Sequence, residues 1–426
     1  MRSITLFGAV SIGIGGMVGG GIFAVLGDAV SLAHGATPIA FFIAGVVAIL
    51  TAYSYAKLSV TFQSRGGTVS FIDHAFGHNL LSGSINLMLW LSYLVTISLY
   101  AVAFASYGMT FFSVKTPFLY HTLIGVAIIL PALINLLSAS LVGKSESIIV
   151  SIKVVLLLVV IISGAFYVDF SRLAPTHYES SFSILSAGMI IFVAYEGFEL
   201  IANAAESIKN PTKNLSRAFY ISVVFVVLLY VCISIVAVGT VNESALLEAK
   251  DYALALAAKP ALGQTGFTIV AIAALLSTFS AINATIFGNA RLGYIIAKDG
   301  ELPILFEYER AQIPVVGVIL TVVFSLILAN TVALSEIAII GSAGFLLIFF
   351  LVNLSALKLH KEIKGSKYIF MISTLSSLIA LIILLLHTYD TNEKAIIIFI
   401  LFIMVSVSFE FLYGQFVRGH LFQRKY

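Results

Sequence analysis

Three charged residues stand inside runs otherwise too apolar to hold them: Lys153 in SIIVSIKVVLLLVV, and Glu196 and Glu199 in IIFVAYEGFELIANAAE. A fourth, Glu410, lies near the end of the last apolar run, where it is expected to reach an aqueous interface. Charge at membrane depth is costly, and it marks ion pathways, proton relays and ligand sites. An amine and two carboxyls placed there can each exchange a proton, and an ionised glutamate can hold a cation. For each residue a plainer reading stays open. Lys153 is about five residues, or roughly 8 Å of helix rise, past Ile148, so its stem could snorkel toward water. Glu199 could be a structural hydrogen-bonded carboxyl, and Glu196 could be neutral or face a water-filled vestibule.

The second chemical feature is VSIGIGGMVGGGIFAVLG, residues 10–27, with glycine at 13, 15, 16, 19, 20 and 21. Glycine costs roughly 1 kcal/mol against alanine inside a helix, so this density requires a return. A nucleotide-binding loop is excluded by register and by the absence of a preceding strand. Helix packing accounts for the pairs Gly15/Gly19 and Gly16/Gly20, but not for the remainder. The third reading is a helix that breaks at mid-membrane, where free backbone N–H and C=O groups become ligands. The half-helix starting near Gly21 then points its positive end at the break, suited to a carboxylate. A second break is expected at Gly197, between the two glutamates and flanked by Tyr195 and Phe198.

The elements that must carry these groups follow from composition. The 426 residues are 60% hydrophobic and only 10% charged, with mean hydropathy +1.08. A helical span needs about 20 apolar residues to cross roughly 30 Å of hydrocarbon. Twelve such runs are read at 5–33, 37–62, 79–112, 118–138, 146–168, 182–204, 214–240, 264–297, 313–330, 334–359, 367–388 and 394–417. The breaks fall in the first and the sixth. The stretch 242–262 is too polar to span and reads as a short surface helix capping a loop. The first run is too long for the apolar core of a cleavable signal. Cys232 stands alone, so no intrachain disulfide can form.

Basic residues orient the spans. With the amino terminus in the cytoplasm, 17 Lys and Arg fall inside (Arg65, Lys144, Arg424 and Lys425 among them) and five outside: Lys115, Arg172, Lys250, Lys259 and Lys394. Both termini are therefore expected in the cytoplasm of a cell inner or plasma membrane. The histidines are scattered, and His74 with His78 lacks a further ligand, so no metal site is expected. No nucleophile and base suggest an enzyme, and no cofactor or nucleic-acid partner is expected. A saturable carrier is preferred to a channel.

With these residues in place, the chain resembles the amino acid-polyamine-organocation transporter superfamily. The resemblance rests on GGGIF (Gly19 to Phe23), AYEGFE (Ala194 to Glu199), AAESIKNPTKNLSRA from 204, QSRGGTVSF after the second span and NATIFGNARLGYIIAKDGELP after the eighth. It implies an all-α membrane protein of twelve transmembrane helices. Five-plus-five inverted repeats (5–168 and 182–359) are followed by two further helices (367–417), all in one domain, and transport is by alternating access. It implies that a small-molecule substrate, an amino acid, lies between the breaks. Its carboxylate would meet the amides of Gly19, Gly20 and Gly21. Its amino group would meet carbonyls of Met17, Val193, Ala194 and Glu196, next to Tyr195 and Gly197. Trp90 and Tyr93 are candidate walls. Proton-coupled members carry a lysine where sodium-driven relatives bind the ion; Lys153 holds that place, with Gly15, Ser277, Thr278 and Ser280 as expected partners. Glu199 matches the acid that follows Gly-Phe in the superfamily. Glu196 departs from its pattern, and if ionised toward the pocket it favours a substrate with an added positive charge. An exchanger, or a cationic amino acid or polyamine carrier, is the alternative.

Overall fold

The computed structural model describes residues 2–64, 66–137, 139–310 and 313–418, with backbone alone over 139–147. Arg65, Arg424 and Lys425 lie outside the described residues, as does the side chain of Lys144. Among the described residues the regular elements are helices, apart from a two-stranded hairpin, β1 (Glu309–Arg310) and β2 (Ile313–Pro314). In order run α1 (Leu6–Met17), α2 (Gly21–Ala33), α3 (Thr37–Thr61), α4 (Thr68–Phe76), α5 (Leu80–Met109), α6 (Pro117–Leu137), α7 (Ala139–Gly164), α8 (Ser181–Ile190) and α9 (Leu200–Asn203). There follow α10 (Pro211–Thr240), α11 (Glu243–Glu248), α12 (Ala253–Ala257), α13 (Lys259–Lys298), α14 (Val315–Thr331), α15 (Leu334–Lys358), α16 (Lys367–Thr391) and α17 (Glu393–Tyr413).

Local chemistry sets many of these ends. Thr5 caps α1 by accepting from the Gly8 amide, and Asn79 with Ser82 forms a capping box at α5. Pro opens α6 and α10, where its missing N–H costs nothing. Ten helices of the described chain are long and apolar enough to cross a membrane, one of them the Ser181–Asn203 segment that includes α8 and α9. An eleventh crossing is α1 with α2, bent by 45°. The remaining expected run is α14, whose 17 residues make it the shortest. Two expected boundaries move. α7 begins at Ala139 rather than 146, and α13 begins at Lys259, with Gly263 at φ 61° kinking what would otherwise be one rod.

The interior is built by α3 against α10, α5 against α13, and α15 against α5 and α16, with α1 packed on α7 and α10. Around it α6, α7, α14, α16 and α17 turn leucine, isoleucine, valine and phenylalanine outward. Such a surface suits lipid tails, against which apolar exposure carries no penalty. The 242–262 stretch departs from its expected form as a single surface helix. It breaks into α11, a 3-10 turn at Lys250–Tyr252 and α12, and it is partly buried, with Leu246 and Leu254 in the core. It lies over α2, where Lys250 Nζ meets Asp28 Oδ1 at 2.6 Å. His34, at the end of α2, reaches Glu243 of α11 and, at 3.5 Å, Glu179.

Candidate functional site

Both expected breaks are present, and they touch. α1 stops at Met17, Val18 and Gly20 leave the α1 helix, and α2 restarts at Gly21. In the sixth span α8 tightens into a 3-10 turn over Ile191–Tyr195. Glu196 is then extended, Gly197 takes φ 115°, and helix resumes at α9. A side chain on Gly16 would put its Cβ 2.6 Å from the Gly197 carbonyl oxygen, and one on Gly21 would come 2.6 Å from Ala194 Cα. Glycine is needed here for close approach of two backbones, and at Gly197 also for its positive φ.

The freed polar groups are met by side chains from neighbouring helices. Tyr230 of α10 donates its hydroxyl to the carbonyls of Met17 (2.6 Å) and Ala194 (3.2 Å), bridging the two breaks. Ser277 of α13 donates to the carbonyls of Val18 (2.9 Å) and Gly19 (2.6 Å). Ser342 of α15 accepts from the Val193 amide at 2.9 Å and donates to the Ile190 carbonyl at 2.6 Å. On the far side Lys153 Nζ donates to the Gly15 carbonyl at 2.9 Å. Among the described residues, the amides of Gly19, Gly20 and Gly21 donate to no loop, cap or side-chain acceptor.

All three charged groups are buried: Lys153 is 3% exposed, Glu196 2% and Glu199 1%. The snorkelling alternative for Lys153 is thereby replaced by a contact with the break. Glu199 accepts from the Tyr93 hydroxyl at 3.0 Å and from the Gly197 amide at 2.8 Å. Glu196 accepts from the Tyr100 hydroxyl at 3.3 Å, and its carboxyl also meets the Thr96 hydroxyl and the Glu199 carboxyl.

A profile of the amino acid permease family matches residues 4–409. This chain belongs to that family. An uncharacterized protein of Methanocaldococcus jannaschii is 35% identical over 97% of this chain and 96% of its own length. The inner membrane transport protein YbaT of Escherichia coli is 33% identical over 93% of each. The branched-chain amino acid permease BcaP of Bacillus subtilis is 24% identical over 97% of this chain and 93% of its own. The protein is thus a multi-pass membrane transporter of the amino acid-polyamine-organocation superfamily, and not an enzyme.

Within this permease the other expected site residues make the following contacts. Tyr195 is buried, donates its hydroxyl to the Phe41 carbonyl at 2.8 Å and sets its ring against that of Tyr230. Trp90 packs edge-on against Phe306 and Phe324 rather than lining the site. Thr278 bonds back to its own helix at Ala274, and Ser277 serves the first break. Ser280 is buried without a described hydrogen bond. The Val193 carbonyl accepts from the Glu196 amide at 3.2 Å. Glu410, expected at an interface, is buried and paired with Arg418 at 2.5 Å. The residues missed are Tyr100, Tyr230 and Ser342, which read in sequence as ordinary members of apolar helices. Also unforeseen is a cluster of Asp73, His78 and Glu301, whose ligand atoms lie within 4.8 Å of one another, with Asn86 donating to Glu301 at 2.8 Å.

Proposed function

We propose that this permease is a proton-coupled carrier of amino acids working by alternating access. Its substrate sits between the two breaks, and Lys153 is the group whose proton is coupled to transport. The observation that carries the reading is the Lys153–Gly15 contact, a buried ammonium held on the carbonyl of a helix about to break. Removal from water penalises the charged amine, whereas the carbonyl favours it. Loss of the proton removes the charge that strengthens the contact and loosens the first span from α7, so protonation biases one conformation over another. The chain is read as two inverted five-span repeats, with both termini cytoplasmic in the inner or plasma membrane. In keeping with that reading, the substrate carboxylate meets the amides of Gly19, Gly20 and Gly21.

The test is uptake into proteoliposomes of the common amino acids, with and without an imposed inward proton gradient. Gradient-driven accumulation of at least one amino acid is expected, and it should be abolished in Lys153→Ala. Retained gradient-driven uptake in that variant refutes the coupling role. An exchanger is recognised by uptake that depends on internal amino acid and ignores the gradient.

A further inference from the structure

Tyr100 lies between the two breaks and touches both. Its ring packs on the first: a side chain on Gly20 would run into it, and one on Gly19 would put its Cβ 3.2 Å from the phenol oxygen. Its hydroxyl reaches the second, donating to Glu196. One phenol thus fills the space from the amides at the start of α2 to the buried acid.

Glu196 is poorly served where it stands. A carboxylate can accept about four hydrogen bonds. This one meets the hydroxyls of Tyr100 and Thr96 and the carboxyl of Glu199, and among the described residues no lysine or arginine reaches it. Two carboxyls in contact share a proton, and the charge left on the Glu196–Glu199 pair has no cation beside it. Two other acceptors expected to take a substrate ammonium, the Met17 and Ala194 carbonyls, already hold the Tyr230 hydroxyl, although each keeps a second lone pair. Glu196 is the acceptor that no cation accompanies, and its bond from Tyr100 is long, at 3.3 Å.

We propose that Tyr100 is a movable bar across the substrate seat, and that a second cationic group on the substrate displaces its hydroxyl from Glu196. The permease thereby selects amino acids whose side chains are positively charged. The proposal rests on the breaks being the substrate seat, as read above. It gives two variants effects of opposite sign, which a merely structural role would not. Tyr100→Phe keeps the ring but removes the competing hydroxyl, so lysine binding should tighten. Glu196→Gln keeps the shape but removes the charge, so the preference for lysine should collapse.

The experiment is equilibrium binding of radiolabelled lysine and of norleucine, its uncharged counterpart, to the full chain purified in nanodiscs. The unmodified protein is expected to favour lysine by about tenfold or more, as a site built around a polar group does. Glu196→Gln should bring the two ligands close to parity, and Glu196→Asp should keep the preference. Tyr100→Phe should raise lysine affinity by roughly threefold, the removal of one hydroxyl that competes for an acid. Norleucine bound as well as lysine by the unmodified protein, or a preference unchanged in Glu196→Gln, overturns the proposal and leaves amino acid transport standing. Binding of neither ligand, together with no uptake of any amino acid, overturns the broader reading as well. If Glu196→Gln does not fold, Tyr100→Phe decides alone: lysine affinity unchanged or weakened overturns the proposal.

Discussion

Carbonyls freed near the end of α1 are held by side chains from three different helices: Gly15 by Lys153, Met17 by Tyr230, and Val18 and Gly19 by Ser277. At this depth no water replaces a lost donor, so each bond matters more than its modest net strength of about 1 kcal/mol suggests. Tyr230→Phe leaves two carbonyls, one from each break, short of a donor. It is expected to lower the stability of the detergent-purified protein by about 1–2 kcal/mol, read as a lower thermal unfolding midpoint. An unchanged midpoint would show that Tyr230 does not tie the breaks together. Lys153→Ala belongs at the same scale but has a different signature. It removes gradient-driven uptake, whereas Tyr230→Phe mainly weakens the scaffold.

At the scale of elements, the two broken helices are one device because their backbones touch at Gly16 and Gly197. Gly197→Ala meets two penalties, a φ of 115° and a Cβ placed against the Gly16 backbone. Strain at such a position costs on the order of 1–3 kcal/mol before any clash is counted. Little folded protein is expected on size-exclusion chromatography. Gly125→Ala is the matched control: a side chain there meets nothing within 4 Å, and in the interior of α6 alanine should gain about 1 kcal/mol. Similar yields from both variants would refute close packing of the breaks.

Across the whole molecule, the lid formed by α11, the Lys250–Tyr252 turn and α12 covers the end of α2 remote from α1. Burial pushes the Asp251 carboxyl above the usual range, with Lys250 opposing. A carboxyl raised on folding binds more protons folded than unfolded, so its contribution to stability is present at low pH and lost as pH rises through the raised value. Protection factors over 242–258, corrected for the base-catalysed intrinsic exchange rate, should therefore fall as pH rises from near 4, and Asp251→Asn should remove that fall. Orientation is tested at the same scale. With Cys232 replaced by serine, single cysteines at Lys361 and Lys394 should react with a membrane-impermeant maleimide from the cytoplasmic and the external side respectively. The reverse pattern would invert the orientation.

Composition and periodicity alone determined the spans, because helices in hydrocarbon must be long and apolar whatever they pack against. Thus 37–62 and 334–359 return as Thr37–Thr61 and Leu334–Lys358. The breaks were legible for a related reason. Glycines clustered in one apolar run, and a glycine flanked by two glutamates in another, are costly at that depth unless backbone is being freed. What only the tertiary structure decided is who meets that backbone. Tyr100 and Tyr230 look like any aromatic in a buried helix until α5 and α10 bring their hydroxyls to the breaks. The Tyr195 hydroxyl goes to α3 and the Trp90 ring to Phe306, partners that spacing along the chain does not name. Spacing along a chain records the depth and the face of a residue on its own helix. A hydrogen bond across helices depends on how those helices cross, which no single span encodes.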